Sequence, residues 1–94
     1  MDDKMLRKAS RMLKTMADPT RLRILLVLGE GEISVKELCE RLGMEQSAIS
    51  HQLSVLRRER LVTSRRQGRN SLYAPCDHHI YTLIDQVREH VEEL

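Results

Sequence analysis

Helix-capping and helix-breaking residues follow one another closely between residues 18 and 43, and they restrict this part of the chain to short helices. Asp18-Pro19-Thr20 is typical of a helix start, with Asp18 as the N-cap and Pro19 in the first turn. Gly29-Glu30-Gly31 ends that helix, and Ser34-Val35-Lys36-Glu37 is a capping box that opens the next one. Gly43 closes this third helix and leads through a tight turn into a fourth. Two short helices joined in this way predict a helix-turn-helix.

The flanking segments complete one small domain. Apolar residues at helical spacing predict helices over 5–16 and 46–58, and Asp77 caps a last helix that runs to the C-terminus. The runs Leu61–Arg65 and Asn70–Tyr73 predict a hairpin around the turn Arg66-Gln67-Gly68-Arg69. The 94 residues make a single domain, 1–94, with the helix-turn-helix at about 34–58, the hairpin at about 61–74 and the last helix at about 77–94. A domain of this size has a thin core, which favours a homo-oligomer.

Composition excludes several classes of protein. No apolar run approaches the ~20 residues of a membrane span, and the N-terminus has no signal-peptide core, so we expect a cytoplasmic protein with no membrane partner. The chain has no Trp or Phe and only two Tyr, which argues against a platform for stacking single-stranded bases. The two cysteines, Cys39 and Cys76, cannot form a disulfide framework and are expected to be reduced.

The charges are unevenly distributed, although the net charge is only +2. Residues 57–69 carry six arginines against one acid, Glu59, whereas residues 77–94 carry five acids against one arginine, Arg88. One basic and one acidic segment suggest a surface for a polyanion and a separate site for a cation.

The fourth helix and the hairpin have the side chains that a DNA-binding unit needs. Short polar side chains on an outward helix face can reach base edges in a major groove. Arginines at the hairpin tip can reach phosphates or an adjacent minor groove. A helix-turn-helix followed by a basic hairpin is a winged helix, a mainly α fold with a β-hairpin wing. The predicted outward face comprises Gln46, Ser47, Ser50, His51, Ser54 and Arg57.

Three blocks of sequence closely resemble the ArsR/SmtB family of bacterial metal-responsive repressors: Ala17–Leu25 (ADPTRLRIL), Ser47–Leu53 (SAISHQL) and Arg66–Arg69 (RQGR). The resemblance implies a homodimeric winged helix with four helices, two strands and a fifth helix in that order. It further implies that the first and last helices form the dimer interface and that the partner is double-stranded operator DNA, expected to be an inverted repeat. With Arg57, the residues it places on the DNA-facing side are Gln46, Ser47, Ser50, His51 and Gln52 on the helix and Arg65, Arg66, Gln67 and Arg69 on the wing.

The last helix resembles the family's interfacial zinc site, with Asp77, His79, His90 and Glu93 at the matching positions. At 100° per residue, His79, His90 and Glu93 lie together beside one apolar stripe. However, 11 residues separate His79 from His90, which is roughly 16 Å along a helix, and a Zn–N bond is about 2.1 Å. One chain therefore cannot close the site, but two antiparallel copies can. This predicts two interfacial sites per dimer with two imidazole and two carboxylate ligands, which favour Zn²⁺, with Co²⁺ as a surrogate and Ni²⁺ less favoured.

These features predict a dimeric repressor that leaves its operator when zinc binds and so derepresses metal export or storage genes. The family's cysteine site for soft metals is absent, because Ser34 occupies the matching position. The alternative is a repressor of the same family that senses oxidants or persulfides through Cys39 and Cys76, and a third possibility is a constitutive DNA-binding module with a vestigial metal site. We do not expect an enzyme or a small organic substrate, because a closed four-ligand site has no open position for one.

Overall fold

The computed structural model describes residues 1–94 as five helices and one three-stranded antiparallel sheet. This is the predicted winged helix, and none of its helices is long and apolar enough to span a bilayer. In chain order the elements are α1 (Asp3–Met16), α2 (Pro19–Leu28), β1 (Ile33–Ser34), α3 (Val35–Leu42), α4 (Gln46–Arg58), β2 (Val62–Gln67), β3 (Asn70–Pro75) and α5 (His78–Glu92).

Side-chain caps fix the helix boundaries. The Asp18 carboxylate accepts a hydrogen bond from the Arg21 amide at 3.0 Å, and the Ser34 hydroxyl accepts one from the Glu37 amide at 3.1 Å. Gly43 ends α3 in the left-handed conformation with φ 63°, which glycine adopts without steric cost. The helix-turn-helix geometry of α3 and α4 therefore follows from local signals.

The sheet differs from the prediction at β1, in the hairpin turn and at the end of β3, which runs to Pro75 and not to Tyr73. Strand β1 was not predicted; it joins the edge of the sheet by pairing Ile33 with Tyr73. The hairpin turn consists of two residues, Gly68-Arg69, and not of the four predicted, so β2 extends to Gln67. Gly68 has φ 62°, which permits the tighter turn. The longer β2 places Arg66 on a strand with Arg65 and leaves Arg69 in the turn.

Helix α1 also begins earlier than predicted, at Asp3, because the Asp2 carboxylate accepts a hydrogen bond from the Met5 amide at 2.8 Å.

The core is a single cluster of 14 buried residues, all of them apolar. Its most deeply buried members come from α2, α3, α4 and the segment before β2, so the inward face of α4 packs against all three of these neighbours. Helices α1 and α5 contribute little and instead expose apolar side chains to solvent. The exposed large apolar side chains of these two helices are Met5, Leu6 and Leu13 on α1 and Tyr81, Leu83, Val87 and Val91 on α5.

Candidate DNA-binding surface and metal site

Helix α4 presents a continuous polar surface to solvent. Its apolar residues Ile49, Leu53 and Leu56 are buried, which rotates the opposite side of the helix outward. At 100° per residue the centre of that outward side is a line of short polar and basic side chains. The predicted residues Gln46, Ser47, Ser50, His51 and Arg57 are all exposed on it or at its edges.

Gln52 lies apart from this group. It sits on the flank of α4, half-buried, and its side-chain oxygen accepts a hydrogen bond from the Arg21 guanidinium at 3.1 Å. Arg21 also donates to the backbone carbonyl of Thr15 at 2.7 Å, so it ties α1, α2 and α4 together. The position of Gln52 thus suits a residue that orients the helix better than one that contacts a base.

The wing arginines differ in their contacts. Arg65 donates two hydrogen bonds of 2.7 Å to the two carboxylate oxygens of Glu32, the residue just before β1. This hydrogen bonding holds the pKa of the Glu32 carboxyl below its usual value. Arg66 and Arg69 are exposed and have no acidic partner, and Gln67 is exposed beside them at the end of β2. Arg66 and Arg69 are therefore available to an outside anion, whereas Arg65 is engaged within the chain.

A basic cleft separates the wing from the helix-turn-helix. Lys36 of α3 faces Arg66 and Arg69 across it, and Glu40 is its only acid. The remaining polar side chains that line the cleft are Gln46, Asn70 and Ser71. A strand of phosphates passing through this cleft would meet three cations and several hydrogen-bond donors.

One half of the predicted metal site is assembled at the start of α5. Asp77 caps the helix through its Oδ1 atom, which accepts hydrogen bonds from the His79 amide at 2.9 Å and the Ile80 amide at 3.3 Å. The His79 ring nitrogen Nδ1 lies 3.2 Å from the same oxygen. Partial desolvation raises the pKa of Asp77, but the hydrogen bonds from Ile80 and His79 and the charge of His79 outweigh it and leave that pKa lowered. Oδ2 has no hydrogen-bond partner in the chain.

The other half of the predicted metal site lies at the end of α5, where Arg88 pairs with three acidic side chains but not with Glu93. Arg88 contacts Asp85 at 2.7 Å, Glu92 at 2.9 Å and Glu89 at 4.0 Å, all on one side of the helix. Glu93 has no ion pair, and it lies one helical turn from His90. Both side chains are exposed.

Two imidazoles and two carboxylates are a donor set that fits zinc, but within one chain the four predicted ligands lie at the two opposite ends of α5. No three His, Cys, Asp or Glu side chains of the chain converge on one position that could hold a metal ion. Asp77 and His79 are exposed at 50% and 76% of their side-chain surfaces, beside the solvent-facing apolar residues Leu83 and Val87.

The two cysteines lie in different parts of the fold. Cys39 is half-buried against the core at the edge of the basic cleft, and Cys76 is exposed just before α5. They form no disulfide.

Comparison with known proteins identifies the family. Residues 18–64, which span α2 to the middle of β2, match the profile of the bacterial regulatory proteins of the arsR family. The chain belongs to the ArsR family. It is a winged helix-turn-helix DNA-binding regulator, and its relatives are transcriptional regulators rather than enzymes.

Individual ArsR-family proteins are similar over most of the chain. The HTH-type transcriptional regulator NmtR of Mycobacterium tuberculosis is 42% identical over 94 residues, which cover 100% of this chain and 78% of that protein. The transcriptional repressor SmtB homolog of Synechocystis is 39% identical over 84 residues, 89% of this chain and 64% of that protein. A solution structure of a homodimeric winged helix-turn-helix domain from Mycobacterium bovis, a possible ArsR-family regulator, superposes with a TM-score of 0.89 at 28% identity, covering 99% of this chain and 89% of that chain.

Some residues of the candidate DNA surface were missed by the sequence reasoning. Arg58 lies on the central line of the outward face of α4, and its spacing of seven from His51 is a signal that could have found it. Lys36, Asn70 and Ser71 reach the cleft only through the packing of α3 against the wing, which no local pattern reveals.

Proposed function

We propose that this protein is a dimeric, zinc-responsive transcriptional repressor. The proposal is carried by the position of the four predicted ligands, which are exposed and divided between the two ends of α5: Asp77 and His79 at the start, His90 and Glu93 at the end. They lie beside an apolar stripe that faces solvent. Neither feature is explained by the single chain. Both are explained by an antiparallel contact with a second copy. That the similar Mycobacterium bovis domain is homodimeric supports dimer formation.

The DNA contacts proposed for each subunit fall into two groups. Ser47, Ser50 and His51 of α4 face a major groove and contact base edges, since their side chains are exposed and lack protein partners. Arg66 and Arg69 contact backbone phosphates, with Gln46, Arg57 and Gln67 at the margin. The two-fold symmetry of the dimer makes the operator an inverted repeat. Such a regulator acts in the bacterial cytoplasm, where the chromosome lies.

Zinc acts by linkage in this proposal. Asp77 and His79 of one subunit and His90 and Glu93 of the other bind one ion, so the dimer has two equivalent sites, which Co²⁺ and less readily Ni²⁺ can also occupy. If zinc prefers the arrangement of subunits that does not fit the operator, it releases DNA, and DNA must weaken zinc binding by the same factor. Release would derepress genes for metal export or storage.

Mixed dimers test the shared site. In a His79→Ala homodimer, or a His90→Ala homodimer, both sites lose an imidazole and neither should bind zinc tightly. A heterodimer of the two variants collects both substitutions in one site and leaves the other site whole. It should bind one zinc per dimer with wild-type affinity, as measured by competition with a chromophoric chelator.

His78→Ala is the matched control, because His78 is an exposed histidine at the same end of α5 but is not a proposed ligand. It should keep two sites per dimer. If both ligand-variant homodimers keep two tight sites, the interfacial site is wrong, and sensing must be sought at Cys39 and Cys76.

A further inference from the structure

Helix α1 carries a basic stripe that neither the helix-turn-helix nor the metal site uses. Its cations recur at three- and four-residue spacing, so they share one face of the helix, and with Ser10 they line a shallow groove that contains no apolar side chain. Only one of them, Arg11, has an acidic partner, Glu59. The basic stripe consists of Lys4, Arg7, Lys8, Arg11 and Lys14.

The basic stripe lies beside α4. Arg11 contacts Glu59 at 3.2 Å, and Glu59 directly follows the last residue of α4. One turn further along α1, the Thr15 carbonyl accepts a hydrogen bond from Arg21, which also binds Gln52 of α4. The second half of α1 therefore lies near the C-terminal part of α4, on the flank that carries Gln52 and Glu59. The wing cleft meets α4 elsewhere, at its first residue, Gln46.

A second copy of the chain is not the natural occupant of this stripe. The exposed apolar residues of α1, Met5, Leu6 and Leu13, lie roughly 125–155° around the helix from the centre of the stripe. A partner subunit that covers Leu6 and Leu13 leaves the stripe facing solvent. The stripe is also about 15 Å long from Lys4 to Lys14, and one DNA strand presents a phosphate about every 3.4 Å along the helix axis.

We propose that the basic stripe of α1 is a second DNA-backbone contact, which binds phosphates of the same duplex on the side of α4 away from the wing. This rests on the proposed DNA binding by α4 and the wing and extends the protein's footprint beyond them. Because the contacts are to phosphates, they add affinity for any sequence and do not add specificity.

The salt dependence of DNA binding measures these contacts. Lys8→Gln should reduce the magnitude of the slope of log K against log[salt] by about 0.9, and Lys4→Gln with Lys8→Gln by about 1.8, equally on operator and random duplexes. Arg41→Gln is the control, because it removes the same charge from a guanidinium that Glu30 already pairs at 3.1 Å. Its slope should equal that of the wild type.

Three results would overturn the proposal. The first is an unchanged slope in the double variant, and the second is an equal decrease in the Arg41→Gln control, which would assign the effect to net charge. The third is a weaker dimer in sedimentation equilibrium, which would mean that the stripe contacts the acidic α5 of a second copy. If wild-type protein binds no duplex at low salt, the proposed function itself fails, which is distinct from all three.

Discussion

Replacing Glu32 with Gln should convert Arg65 from an internal partner into a DNA contact. In the structure both carboxylate oxygens of Glu32 accept hydrogen bonds of 2.7 Å from Arg65, so a phosphate must compete with a fixed bidentate partner. The neighbouring Arg66 has no such competitor. Glu32→Gln preserves the size of the side chain and removes the charge that holds the guanidinium.

The magnitude follows from the number of phosphates gained. One additional contact steepens the slope of log K against log[salt] by about 0.9, so the affinity lost between 50 and 200 mM salt grows by about 3.5-fold. Arg66→Ala should shift the slope by the same amount in the opposite direction. Arg65→Ala should leave the slope of the wild type unchanged but should abolish the gain in a Glu32→Gln background.

Fluorescence anisotropy of a labelled random duplex over a range of salt concentrations measures the slope for the wild type and the four variants. The reasoning is refuted if Arg65→Ala alone flattens the slope as much as Arg66→Ala does, because Arg65 would then contact DNA despite Glu32.

Three further predictions concern single side chains. Ser50→Ala should weaken binding to the operator more than to random DNA, whereas Gln52→Ala should weaken both alike because Gln52 accepts a hydrogen bond from Arg21 and does not face the base edges. Paired anisotropy titrations on the two duplexes compare the variants. An operator-selective loss in Gln52→Ala would contradict this role. Ser34→Ala should cost about 1 kcal/mol of unfolding free energy by removing the cap of α3, measured by urea denaturation, and no loss would mean that the cap is redundant. Arg60→Gly should raise the melting temperature by about 4 °C at fixed protein concentration, because Arg60 has φ 58° in the left-handed region; an unchanged or lower temperature would show that no strain is relieved there.

Local signals predicted most of the fold. The caps Asp18, Ser34 and Asp77 and the left-handed Gly43 act within three or four residues of the chain, so the sequence places these helix ends correctly. Strand β1 escaped prediction because two residues show no periodicity and exist as a strand only by pairing with β3.

Some candidate site residues are already bonded to other side chains of the chain. These contacts join residues far apart in the sequence, so they could not be predicted from it. Arg65 and Glu32 are 33 residues apart, and Arg21 and Gln52 are 31 apart. The sequence predicts which side chains are candidates for DNA contact, but only the packing shows which of them already have a partner within the chain. The basic stripe of α1 is visible in the sequence, whereas its position beside α4 depends on the contact between Arg11 and Glu59.

Operator affinity with and without zinc tests the central claim most directly. A duplex selected from a random library by the metal-free protein serves as the operator, and its anisotropy titration is repeated at fixed salt with saturating zinc and with a chelator. Zinc should weaken binding by at least about fivefold in the wild type, within the range of allosteric couplings, and should have no effect on the His79→Ala homodimer. Equal affinity with zinc and with chelator in the wild type would contradict the account.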